Sequence, residues 1–239
     1  MSAVTFGERL RSMAFALWFG LATLVLGLVN LVLVRLPDRR LVVRNCERWS
    51  GAHRWGVEHI LGIRVVVEGT LPSGPVFVAV KHESMFEAMD MPHLLNFPAV
   101  FAKVELLKLP LWGKAGGRFG LVPVERDQGA KALRAMLSAA RKLVAEDRPL
   151  VIFPEGTRMP HGERPALQAG FAGLYKMIGL PVVPMAVDSG RLLRGFWKRR
   201  GTVTYRVGEV IPAGLPREEI EARVWAAINV LNGEEGAKS

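Results

Sequence analysis

His82 and Glu87 stand five positions apart in the stretch KHESMFEAMD, directly after the apolar run PVFVAV. A histidine hydrogen-bonded to a carboxylate at Nδ1 has a fixed tautomer and a stabilised imidazolium, and its Nε2 is left to take a proton. That is a two-residue general base, and it needs no serine or cysteine nucleophile in the protein. Side chains five apart on one continuous helix point about 140° apart, so the pair can meet only if His82 precedes the helix. Its ring then folds back to a carboxylate in the second turn. Glu83 and Asp90 are rival partners: Glu83 is adjacent and points away, and Asp90 shares the face of Glu87 one turn further on. Ser84 is a possible nucleophile, but a serine here more often caps the helix. A histidine satisfied in the core is the plainer reading of His82 taken alone.

A second stretch, FPEGTR, follows the apolar run PLVI. Pro154 ends the strand and Gly156 permits a tight loop. Glu155 and Arg158 then project from a strand end, with Thr157 between Gly156 and Arg158. The guanidinium fork of Arg158 suits a phosphate. Lys103 in FAKVELLK and Arg126 in VPVERD are further cations at strand ends. Singly each reads as a solvated charge; with Arg158 they make a phosphate pocket. A structural ion pair in a turn is the competing account of Glu155 and Arg158.

The elements that must position these residues alternate in type. Val- and Ile-rich runs begin near residues 63, 75, 98, 120, 149, 181 and 202. Helical periodicity covers 84–95, 128–146, 167–179 and 216–232. This is the pattern of an α/β domain with a mixed, largely parallel sheet flanked by helices. In such sheets chemistry gathers where strands end.

Ahead of that domain, residues 12–34 carry no charge. About 20 apolar residues cross the hydrocarbon core of a bilayer. The run ends in RLPDRR rather than at a small-residue cleavage site, which favours a retained membrane-anchoring helix over a signal peptide. Residues 1–37 therefore form an N-terminal membrane anchor. Arg35, Arg39, Arg40, Arg44 and Arg48 make its far side the more basic, which keeps the body of the protein cytoplasmic, at the inner membrane. Residues 38–62 read as a basic amphipathic interfacial segment, with Val42, Cys46, Trp49, His53, Gly56 and Ile60 on one face. A helix packed on the domain fits them equally.

Composition sets the outer bounds. The chain has 239 residues and a net charge of +10, so anionic partners are favoured. Its single cysteine forms no internal disulfide, and no zinc spacing occurs, so no metal is expected. WGKAGGRFG lacks the phosphate-loop pattern. Nucleic-acid binding would rest on charge alone, and the apolar anchor argues against it. In SGRLLRGFWKRRG, residues 189–201, Arg191, Arg194, Lys198, Arg199 and Arg200 flank Phe196 and Trp197. Such a loop suits an anionic membrane surface or an acidic carrier protein.

Together these stretches resemble the glycerolipid acyltransferases, most closely the 1-acylglycerol-3-phosphate acyltransferases. HESMFE matches the family's histidine–four residues–aspartate motif, with Glu87 in the acid position, one methylene longer. GLVPVER, FPEGTR and LPVVP resemble the second, third and fourth motifs, and the likeness runs over residues 60–190 in the right order. It makes 63–239 the acyltransferase domain. It implies acyl transfer from acyl-CoA or acyl carrier protein, as co-substrate rather than cofactor, to a lysophospholipid hydroxyl at a phospholipid membrane. His82 would be the base and Glu87 its partner. Arg126, Arg158 and Lys103 would hold the acceptor phosphate. Glu155 would order the loop or bind the glycerol hydroxyl. A lysolipid such as lyso-ornithine lipid is the alternative acceptor, and a non-catalytic membrane-surface binding protein is the alternative from another class.

Overall fold

The computed structural model describes residues 4–124 and 129–236. Seven strands form one sheet: β1 (Ile63–Glu68), β2 (Phe77–Val80), β3 (Ala99–Lys103), β4 (Leu121–Val124), β5 (Leu150–Ile152), β6 (Val182–Val187) and β7 (Gly201–Val207). Their order is β1-β7-β6-β2-β5-β3-β4. Every neighbouring pair is parallel except β6 and β7, which run antiparallel. The α/β class with a mixed, mostly parallel sheet is therefore the one the sequence implies. Because β2 to β6 all point the same way, the loops that leave β2, β3, β4, β5 and β6 share one edge of the sheet.

Helices cover both faces. α1 (Phe6–Leu33), α2 (Arg39–Trp55) and α3 (Phe86–Leu94) lie on one side, and α5 (Gly129–Val144), α6 (Ala169–Ile178) and α8 (Arg217–Ile228) on the other. Alternation along β2 divides the core. Val78 and Val80 pack with Phe86, Met91 and Tyr205, while Phe77 and Ala79 pack with Phe171, Leu174 and Ile220. A strand buried on both faces must be apolar throughout, which is why β2 and β6 read as continuous hydrophobic runs. Two short helices complete the set: α4 (Gly113–Phe119) and α7 (Gly190–Leu193). α4 forms in the glycine-rich WGKAGGRFG stretch and packs Ala115 and Phe119 against Val42 and Cys46 of α2.

α1 is long and apolar enough to cross a membrane. Its inner face is not apolar throughout. Ser12 and Asn30 are buried, the Asn45 side chain donates to Leu26 O and Asn30 Oδ1, both at 2.9 Å, and Trp49 Nε1 donates to Thr23 Oγ1. The outer face exposes Phe6, Leu10, Leu17, Leu21, Leu24 and Val32. An inner face that mixes Ser12 and Asn30 with Phe15, and an apolar outer face, differ from the pattern of a helix facing water and suit one facing lipid.

α2 continues as a π-helical turn, Gly56–Ile60, and is wedged among α1, α3 and α4. Among its arginines, Arg54 is buried against Asp90, and Arg39 reaches Glu146 and Arg118 O. Those two side chains are thus committed to the protein.

Candidate active site

His82 leaves β2 two residues after Val80, and α3 begins only at Phe86. The ring therefore sits in the turn before the helix and folds back, with Nδ1 2.9 Å from Glu87 Oε1. Glu87 is the second residue of α3, so the meeting takes place in the first turn rather than the second. Phe153, at the start of the loop after β5, stacks on the imidazole with centroids 4.3 Å apart. Nε2 makes no hydrogen bond to any described residue, and the side chain is partly exposed.

The Glu87 carboxylate is fully buried and held from all sides. Besides the imidazole, Oε1 accepts the Glu83 and Ser84 N–H groups at 2.6 and 2.7 Å. Oε2 lies 3.0 Å from Ser84 Oγ and 2.6 Å from Ser189 Oγ, and the two hydroxyls are 2.9 Å apart. Each hydroxyl has one proton, so the three oxygens share two hydrogen bonds at any instant. Ser84 Oγ also accepts the Phe86 N–H at 3.1 Å. It caps the helix start and is buried, and is not an exposed nucleophile.

The rival carboxylates are engaged elsewhere. Asp90 forms a bidentate pair with Arg54 and accepts the Tyr205 hydroxyl at 3.0 Å. Glu83 points away from His82, as expected for an adjacent residue, and contacts His161.

Glu155 joins the two motifs. It is buried, its Oε1 pairs with Lys81 at 2.6 Å, and its Oε2 accepts the His82 backbone N–H at 2.9 Å. Of the two roles open to Glu155, the geometry is that of ordering the loop. Gly156 has φ +73°, and its N–H closes the turn onto Phe153 O at 2.9 Å, a conformation that favours glycine. Thr157 and Arg158 are exposed beyond it, and Arg158 makes no hydrogen bond or ion pair with a described residue. Lys103 is exposed at the end of β3, on the same sheet edge. Arg126 lies outside the described residues. The structure thus joins His82, Glu87 and Glu155 in one network and leaves Thr157, Arg158 and Lys103 outside it.

Four participants were not singled out from the sequence. Lys81 is wholly buried; its ammonium also donates to Glu163 O and Asn229 Oδ1, both at 2.8 Å. A lysine extending an apolar run was the available signal. Ser189 leaves the end of β6, so the strand-end rule already pointed to it. His161 lies in a stretch with no pattern of its own, and Asn229 lies at the end of the helical run 216–232, where nothing in the sequence marks it for the site. Among the described residues no cluster of His, Cys, Asp or Glu is placed to hold a metal ion.

A family model described as Acyltransferase matches residues 62–188, more than half of the sequence and every element of this network before Ser189. The chain belongs to the acyltransferase family. It is similar to the 1-acyl-sn-glycerol-3-phosphate acyltransferase of Pseudomonas aeruginosa, at 28% identity over 83% of this chain and 77% of that one. The human 1-acyl-sn-glycerol-3-phosphate acyltransferase alpha is 31% identical over 56% of this acyltransferase, which spans about half of it, 48%. The fold matches the crystal structure of the 1-acyl-sn-glycerophosphate acyltransferase PlsC from Thermotoga maritima with a TM-score of 0.76, covering 97% of this chain and 99% of that one at 22% identity.

Proposed function

We propose that this acyltransferase moves a fatty acyl group from an acyl thioester, acyl-CoA or acyl carrier protein, to the free hydroxyl of 1-acylglycerol 3-phosphate, giving phosphatidic acid. The observation that carries the reading is the His82–Glu87 pair, with its Nε2 edge unclaimed at the sheet edge. His82 Nε2 takes the acceptor's hydroxyl proton as the oxygen attacks the thioester carbonyl. Glu87 holds the tautomer and balances the imidazolium. The tetrahedral intermediate expels the thiolate, and His82 returns the proton to it. Lys81 and Glu155 fix the His82 turn. Arg158, with Lys103 and Arg126, binds the acceptor phosphate from exposed strand ends. The donor is a co-substrate, and no further cofactor is needed. The names of the relatives support a phosphate-bearing acceptor.

The apolar outer face of α1 supports a seat at a phospholipid membrane, where acceptor and product would both reside. The arginines after α1 favour the cytoplasmic side of the inner membrane for the catalytic domain.

The test is acyl transfer by the purified protein with labelled acyl-CoA and acyl-carrier-protein donors and a panel of lysolipids. Phosphatidic acid should form with the highest kcat/KM. Preference for lyso-ornithine lipid would change the acceptor, and no transfer to any lysolipid would overturn the reading.

A further inference from the structure

A second histidine–carboxylate pair, His161 with Glu83, braces the catalytic turn. Glu83 is fully buried, and its carboxylate lies 3.0 and 3.2 Å from His161 Nδ1. Its Oε2 also accepts the Gly190 N–H at 2.8 Å. A Cβ at Gly190 would lie 2.9 Å from that oxygen, so the approach requires glycine. His161 belongs to the loop after FPEGTR, and two residues before it the Met159 N–H donates to His82 O at 2.7 Å. One short segment therefore grips the His82–Glu83 dipeptide twice, at a backbone carbonyl and at a side chain. Gly190 brings in the loop that carries Ser189, which donates to Glu87.

Charge gives the pair a purpose beyond packing. Two carboxylates, Glu83 and Glu87, are buried four residues apart. Burial raises the Glu83 carboxyl above its ordinary range; the His161 hydrogen bond and charge, and the Gly190 N–H, oppose that rise, and the charge of Glu87 adds to it. Without its own histidine, Glu83 would be a buried acid beside the Glu87 that must serve His82. His161 Nε2 is buried and has no partner among the described residues. A buried polar atom left unpaired costs stability, so the ring is held there by what Nδ1 does.

We propose that His161 is a positioning residue for acyl transfer: through Glu83 it locks the turn that carries His82 and keeps the Glu83 carboxylate compensated beside the His82–Glu87 pair. The proposal rests on His82 being the base and deepens that reading without depending on which lysolipid is the acceptor.

The experiment compares His161→Ala, His161→Asn and wild type as full chains, using whichever lysolipid is turned over fastest. The Asn amide can donate where Nδ1 does, so it preserves the contact to Glu83. His161→Ala should lower kcat by roughly ten- to a hundredfold with KM for both substrates unchanged, and His161→Asn should recover most of the rate. In parallel, NMR of the imidazole-labelled protein in detergent should show the His82 Nδ1 proton resonance displaced in His161→Ala and restored in His161→Asn. That signal needs no substrate, so it stands even if the acceptor assignment fails. Wild-type kcat in His161→Ala, or an unmoved His82 resonance, would overturn the proposal. So would equal losses in both variants. Should His161→Ala not fold, His161→Phe, which keeps a ring but has no donor for Glu83, should give the same kcat loss and resonance shift; its failure to do so would also refute it.

Discussion

Lys81 Nζ lies 2.6 Å from Glu155 Oε1, and both side chains are fully buried. Glu155 in turn accepts the His82 N–H, so a buried ion pair anchors the residue read as the base. Removing one partner of such a pair leaves an uncompensated charge in the interior, at a cost of roughly 3–5 kcal/mol. Lys81→Met should lower the thermal midpoint by on the order of 10 °C. It should also reduce the acyl-transfer rate at temperatures where the variant is still folded. A thermal melt paired with an activity assay checks both, and an unchanged melt would show that the pair contributes nothing net.

The dyad makes a sharper claim. His82→Ala should abolish transfer while the protein stays folded, since the ring is partly exposed and Glu87 keeps its backbone and serine donors. Glu87→Gln should cut kcat by roughly a hundredfold or more, because an amide cannot balance an imidazolium. Asp90→Asn should act on stability instead, through the buried Arg54 it neutralises. A crippled rate in Asp90→Asn beside a normal one in Glu87→Gln would reverse the assignment of the partner.

Much of this could be read from the sequence, for identifiable reasons. All seven strands showed as apolar runs, most plainly β2 and β6, which are buried at every position. The histidine–carboxylate contact was legible because turn and helix start are local. α4 was not, because glycine-rich WGKAGGRFG has poor helix propensity and is held by tertiary packing of Ala115 and Phe119. Nor were the partners of Glu83, Lys81 and Glu87. His161, Asn229 and Ser189 lie far along the chain, and only the folded sheet edge brings them in. The polar lining of α1 escaped notice for the same reason: Ser12 and Asn30 show their purpose only against the loop and helix they meet.

Arg158 is exposed at the strand-end edge and has no partner among the described residues, the state expected of a side chain waiting for an anion. Charge-assisted hydrogen bonds are worth roughly 1.5–3 kcal/mol. Arg158→Ala should therefore raise KM for a phosphate-bearing acceptor by about tenfold or more, with KM for the thioester donor little changed. Steady-state kinetics with each substrate varied in turn decides this, and equal effects on both would remove the phosphate role.

His53 predicts an acid sensitivity. It is buried among Phe15, Phe19 and Phe86. Burial, with the charges of Lys198 and Arg54, lowers its imidazole from 6.5 to about 3. A group that stays neutral when folded but takes up a proton when unfolded leaves stability intact above about pH 6.5. Stability is then lost as pH falls from there towards 3. His53→Phe removes the proton-binding group from the unfolded chain. Its melting temperature should fall less than that of wild type between pH 6.5 and 4.5, and parallel curves would mean that His53 does not contribute.

The loop between β6 and β7 carries the last prediction. Phe196 and Trp197 are exposed there, and the loop is docked on the first turns of α1. The Lys198 N–H donates to Ser12 Oγ at 2.8 Å, the Arg200 N–H to Glu8 Oε1 at 3.2 Å, and the Arg9 guanidinium sits 5.8 Å from the Trp197 ring. The loop that carries the two exposed aromatics is therefore held on the end of α1 that also exposes Phe6 and Leu10. Lys198 differs from the free surface cation its sequence suggests. Its ammonium donates to Leu193 O and Gly195 O, both at 2.6 Å, so it staples the loop. Deleting α1 would strip Ser12 and Phe15 from the packed domain, so the test belongs in the full chain. Replacing Phe196 and Trp197 together with Ser should weaken co-flotation with anionic vesicles. Replacing Arg194 and Arg200 with Gln should reduce its salt sensitivity, each cation near such a surface being worth about 1 kcal/mol. Binding unchanged in both variants would detach the loop from the membrane. A selective fall in activity with the acyl-carrier-protein donor would then make it the carrier's docking site.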